Sequence, residues 1–130
     1  MDQDIIIELS KIKSVLIVIA ILLFLLVAGK LAETIGNIIN NFGNFRIRKI
    51  RTLAAEMHEK GEYSNLIEYL GKELSNRPNC ATSTYWMARG HLSMSDFENA
   101  KKLFIKLREL EPSWEKEYVS PFLKEIEEKH

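Results

Sequence analysis

Between Val15 and Ala28 the chain reads VLIVIAILLFLLVA, an apolar run without one polar side chain. A helix that is hydrophobic around its whole circumference needs a large protein or a bilayer to cover it. Ser14 and Gly29 lengthen the uncharged stretch, and Lys13 and Lys30 bracket it. The segment from Ser14 to Gly29 rises roughly 24 Å as a helix, a little less than a hydrocarbon layer about 30 Å thick. Lysines at both ends can snorkel, and Ile12 and Leu31–Ala32 extend the span.

A secretory signal has an apolar core of similar length. The preceding segment, MDQDIIIELSKIK, suits that role poorly because it is long and carries Asp2, Asp4 and Glu8, and Val27–Ala28–Gly29 is a weak cleavage site. The sequence therefore predicts a tail over residues 1–11 and a retained, single-pass transmembrane helix over 12–32. Lys11 and Lys13 precede it, and Lys30, Arg46, Arg48, Lys49 and Arg51 follow it. That balance favours a cytoplasmic C-terminal domain. No ionisable group interrupts the run, which argues against an ion or proton path through this helix alone.

Residues 33–44 read as an amphipathic connector. Leu31, Ile35, Ile38, Ile39, Phe42 and Phe45 recur at helical spacing, with Asn37, Asn40, Asn41 and Asn44 mostly off that stripe. Gly36 and Gly43 weaken the helix, and Gly43–Asn44 is the expected break. Either the anchor helix continues to about Phe42 and shows its stripe to water unless a partner covers it, or the segment lies in the headgroup region. Ala28, Ala32 and Gly36 recur every fourth residue, a spacing of small side chains that lets membrane helices pack closely.

Further on, the chain repeats itself with a period of 34 residues. Ala54 aligns with Ala88, Glu62 with Asp96, Tyr63 with Phe97, Leu70 with Phe104 and Pro78 with Pro112. Small residues where helices must approach, and a proline closing each unit, predict two helix–turn–helix pairs. Helices are expected over about 45–60, with Asn44 as N-cap and Gly61 in the left-handed turn, and over about 64–76, 80–94 and 97–110, with Asp96 capping the last. The stretch SWEKEYVSPFLKEIEEKH then supplies a capping helix over about 114–129. Ser120–Pro121 kinks or restarts it, and Tyr118, Phe122, Leu123 and Ile126 face inward.

The segment WMARGHLSMSDFENAKKLFIKLRELEP resembles a tetratricopeptide repeat, and LAAEMHEKGEYSNLIEYLGKELSNRP resembles a weaker preceding copy. Met87–Ala88, Phe97, Ala100, Phe104, Leu107 and Pro112 stand at the family's packing positions in the stronger copy. Leu53–Ala54, Gly61, Tyr63, Leu70 and Pro78 do so in the weaker one. Leu66 and Glu73 depart from the pattern, His91 replaces the usual aromatic, and Ser95 replaces the usual glycine. The resemblance implies an all-α domain over 45–130, a short solenoid of two helix pairs (about 47–78 and 81–112) and the capping helix.

In that family the first helix of each pair lines a concave peptide-binding face. By resemblance Arg48, Arg51, Ala55 and His58 would line it from the first copy, and Thr82, Tyr85, Arg89 and Leu92 from the second. Arg51 and Arg89 would attract an acidic peptide, with Tyr85 as an aromatic anchor. Trp86 and Trp114 read as interhelix packing, and His91 as a half-buried histidine.

No pattern points to catalysis, a metal or a cofactor. Cys80 is the single cysteine, and His58–Glu59 opens like HExxH but meets Glu62 where the second histidine belongs. The net charge of zero gives no footprint for nucleic acid. The expected function is that of a membrane-anchored adaptor or scaffold that binds a protein partner. The alternative is a structural accessory subunit of a larger membrane complex, in contact through Ala28, Ala32, Gly36 and the connector. Two repeats and a cap make a marginal core, which favours a homo-oligomer or docking onto a membrane assembly.

Overall fold

Helix α1 runs without interruption from Asp2 to Glu59 and carries the whole apolar run. The computed structural model describes residues 2–129, and among these it holds five α-helices and no strand. The most apolar window of α1 has a mean hydropathy of 2.9 and buries none of its residues, so nothing among the described residues covers it. By length and composition α1 is the one helix among the described residues able to cross a membrane.

The break expected at Gly43–Asn44, with Asn44 capping a new helix, is absent: α1 passes through both residues. A break would leave the N–H and C=O groups of two new helix ends without intrahelical partners. Each glycine costs only about 1 kcal/mol relative to alanine inside a helix. Continuation is the cheaper outcome.

The chain divides into two compact units, one up to Asn44 and one from Phe45 onward. In the first, Leu31, Ile35, Ile38, Ile39 and Phe42 are all exposed. The second contains the end of α1 together with α2 (Tyr63–Asn76), α3 (Ala81–Ser93), α4 (Phe97–Leu110) and α5 (Ser120–Lys129). Ile50 and Ala54 of α1 pack on Leu66 and Leu70 of α2, with Trp86 and Met87 of α3 against them. Ala88 of α3 packs with Ala100, Phe104 and Leu107 of α4 and with Val119 and Ile126. Ala54 and Ala88 are both completely buried. A larger side chain at either would push the neighbouring helix away.

The corners that close α1 and α3 repeat one another bond for bond. Gly61 N–H donates to the His58 carbonyl (3.1 Å) and Glu62 N–H to the Met57 carbonyl (2.9 Å). At the second corner Ser95 N–H donates to Leu92 (3.0 Å) and Asp96 N–H to His91 (2.9 Å). Both form a Schellman cap, which requires a left-handed residue at its centre. Gly61 supplies it with φ 73°, and Ser95 adopts φ 60° despite its β-carbon. Asp96 then accepts from the Asn99 backbone N–H at the start of α4 (3.4 Å).

The C-terminal cap is not one helix. Pro112–Trp114 forms a 3₁₀ turn, Glu115–Val119 a π-helical turn, and α5 begins only at Ser120. Pro121 lacks an N–H and its ring crowds the carbonyl four residues back, so a regular α-helix through this point is penalised. The wider turn closes instead through Ser120 N–H to the Glu115 carbonyl. It also turns Val119 fully into the core and leaves Tyr118 38% exposed. The expected inward place of Tyr118 is thus taken by Val119, whereas Phe122, Leu123 and Ile126 pack inward.

Candidate functional site

Aromatic side chains from α3 and from the turns after α4 meet beside α1. Tyr85 makes edge contacts with Trp86 (5.3 Å between ring centroids) and Tyr118 (5.4 Å). Trp114 lies 5.3 Å from Tyr118. With Arg51 and Thr82 these rings line an open pocket of about 240 Å³. A wider depression of about 640 Å³ shares Arg51, Thr82 and Trp114 with it, and is lined further by Ile50, Arg77, Pro78 and Glu111.

The cations of the site have different occupations. Arg89, one turn beyond Tyr85, donates from Nη1 to the Tyr85 hydroxyl at 2.8 Å. Its guanidinium lies 4.7 Å from the Phe122 ring centroid, 5.7 Å from Tyr85 and 5.9 Å from Trp86. Three rings and a hydroxyl therefore hold this charge inside the fold. Arg51 is exposed and, among the described residues, has no ion-pair partner. Arg46, in contrast, forms a 2.9 Å bridge to Glu73 of α2.

His58 stands at the far side of Trp86, with ring centroids 5.9 Å apart, and its Nε2 is 2.9 Å from Ser93 Oγ. Burial, and then the positive charge of Arg89, push its imidazole below the ordinary value of 6.5. It is neutral at neutral pH and contributes shape and hydrogen bonding rather than charge. Asp96 meets His91 Nδ1 at 3.0 Å, and its carboxyl is held low first by the Asn99 side-chain amide and also by the Asn99 backbone N–H and His91. That pair joins the end of α3 to the start of α4.

Of the eight residues expected on a binding face, Arg51, Thr82 and Tyr85 line the pocket. Arg89 and His58 line neither depression; Arg89 contacts the Tyr85 and Trp86 rings and His58 the Trp86 ring. Arg48 is exposed and lines neither depression, and Ala55 is half-buried and lines neither. Leu92 packs against the buried cluster of α3 and α4, so the core claims it. Trp114 and Tyr118 enter from outside the helix pairs. Their i, i+4 spacing just after Pro112 was the signal available in the sequence. Trp86 packs on the Ile50 cluster as expected, yet one edge of it lines the pocket.

In the first unit Ala28 and Ala32 are exposed, and a β-carbon placed on Gly36 meets no atom within 4 Å. The wider depression also borders Cys80, whose Sγ accepts from Ser83 Oγ at 3.3 Å. No protein-family model, curated protein or solved structure matches this chain.

Proposed function

We propose that the protein is a membrane-anchored adaptor of tetratricopeptide-like build that grips a protein partner through the Arg51–Tyr85 pocket. One observation carries the reading: Arg51, which has no ion-pair partner among the described residues, lines an open pocket together with Tyr85, Trp86, Trp114 and Tyr118. Such a pocket suits a peptide that presents a carboxylate next to an apolar or aromatic side chain. The guanidinium forms a charge-assisted bond with the acid, and the rings cover the apolar part. The duplicated corners at Gly61 and Ser95, and the buried alanines spaced 34 residues apart, support the repeat reading. The apolar run of α1 serves as a single-pass anchor, with the helical domain on the cytoplasmic side.

A second reading, a structural subunit of a larger membrane complex, is favoured by the exposed Ala28 and Ala32 and by the open space around a β-carbon placed on Gly36. Affinity purification in mild detergent with mass spectrometry separates the two. Under the adaptor reading, Arg51→Glu and Tyr85→Ala release the partner, while leucine at positions 28, 32 and 36 does not. The reverse pattern supports the structural subunit, and recovery of the protein alone from wild-type cells rejects both.

A further inference from the structure

Arg77 and Glu111 stand 34 positions apart, and each comes immediately before a proline. A residue before proline is pushed out of the helical region. Arg77 closes α2 with φ −136° and ψ 82°, and Glu111 closes α4 with φ −137° and ψ 82°. The backbone bonds repeat as well. Arg77 N–H donates to the Glu73 carbonyl (2.9 Å) and Glu111 N–H to Leu107 (2.9 Å). The Arg77 carbonyl accepts from Cys80 N–H (3.2 Å) and that of Glu111 from Trp114 N–H (3.0 Å). The same bend thus occurs twice, once with each sign of charge.

Both side chains line the wider depression beside the ring pocket. Although they share it, they do not pair, and among the described residues neither charged end has an ion-pair or hydrogen-bond partner. Their neighbours behave otherwise: Arg108 donates to Glu115 at 2.7 Å and Arg46 to Glu73 at 2.9 Å. The loop that carries Arg77 is also pinned to α4, through Lys106 Nζ and the Pro78 carbonyl at 2.9 Å. A ligand that met these two charges would order side chains on a backbone already fixed, which keeps the cost of binding low.

We propose that the wider depression holds a peptide segment of mixed charge from the protein partner, with an acid against Arg77 and a base against Glu111. An apolar side chain of the same segment covers Ile50, Pro78, Ala81 and Trp114, which line the depression with them. The inference rests on the adaptor reading. Arg51, Thr82 and Trp114 line both depressions, so a peptide whose acid meets Arg51 continues into the wider one. A wholly acidic segment meets repulsion at Glu111, and a wholly basic one at Arg51 and Arg77. Opposed charges in one depression therefore select by pattern, and a mismatched partner is rejected by repulsion.

Selection of random short peptides on full-length protein in detergent micelles tests the pattern. Peptides held by the wild type and lost on Arg51→Glu are those that occupy the site. Besides the acid that serves Arg51, they are expected to carry a second acid and a base. Selection on Arg77→Glu should drop the second acid, and selection on Glu111→Arg should drop the base. The double exchange Arg77→Glu/Glu111→Arg should restore both, which no folding defect can imitate. For a recovered peptide, Arg77→Gln or Glu111→Gln is expected to weaken binding about two- to fivefold, as for exposed charge pairs, read by fluorescence anisotropy. Arg51-dependent peptides without a base, or a pool that ignores both single reversals, overturn the inference and leave the adaptor reading standing. Absence of any Arg51-dependent peptide overturns the adaptor reading and this inference with it.

Discussion

Leu66 fills the space that a β-carbon on Gly90 would claim: its Cδ2 lies 3.3 Å from where that atom would stand. Leu66 is completely buried on α2, at a position where the resemblance led us to expect a small side chain. The glycine on α3 makes the room.

The two positions should therefore be coupled. Leu66→Ala alone removes a buried side chain and costs about 2–5 kcal/mol. Gly90→Ala alone gains up to about 1 kcal/mol of helix propensity but brings its methyl against Leu66 and Ile67. In the Leu66→Ala background one of those contacts is gone, and Gly90→Ala should be more favourable there by about 0.5–1 kcal/mol. Urea titration followed by fluorescence reads this cleanly, because both tryptophans, Trp86 and Trp114, lie in the helical unit. Additive effects would refute the coupling.

At the duplicated corners, removing a β-carbon and adding one should shift stability in opposite directions. Ser95 holds φ 60° with a β-carbon, so Ser95→Gly removes a left-handed penalty and stabilises by about 1 kcal/mol. Gly61→Ala introduces that penalty at φ 73° and destabilises by about 1–2 kcal/mol. Thermal melts that fail to move in opposite directions count against the corner geometry.

Acid should loosen the helical unit in two stages. His58 has a folded pKa below 6.5, so its contribution is complete above that value and is lost as the pH falls toward the folded pKa. Asp96 is likewise depressed from 3.8, and its share survives until the pH falls past that value. Melting temperatures measured from pH 8 to pH 3 should show both steps. His58→Gln should remove the upper step, and Asp96→Asn should shrink the lower one, to which Glu56 and Glu115 also contribute.

Arg51 and Arg89 should separate binding from stability. Arg89→Met strips the guanidinium from Phe122, Tyr85 and Trp86, at a cost of about 1–2 kcal/mol. Arg51→Glu alters an exposed, unpaired charge and should change stability by no more than about 0.5 kcal/mol. Equal melting shifts for the two variants would show that Arg89 is not held as described.

The chain displays its local punctuation openly. Gly61, Pro78, Asp96 and Pro112 mark the ends of α2 and α4 to within two residues, because each acts through its own backbone or cap. Features decided by competition or distance are harder to read. Whether α1 breaks at Gly43 depends on a balance of a few kcal/mol between glycine entropy and orphaned backbone groups. The bridge from Arg46 to Glu73 joins residues 27 apart, and nothing at either position announces the other. The inward turn of Val119 depends on a single wide helical turn. Within the site, Tyr85 and Arg51 were legible as first-helix positions, whereas the seat of Arg89 among three rings needed α5 in place.

That seat has a bearing on selectivity. A cluster of tyrosine, tryptophan and phenylalanine rings is ordinarily a trap for ammonium groups, yet here a resident guanidinium already fills it. Under the adaptor reading proposed above, a positively charged partner would meet rings already in contact with Arg89 and a second cation, Arg51, on the pocket lining.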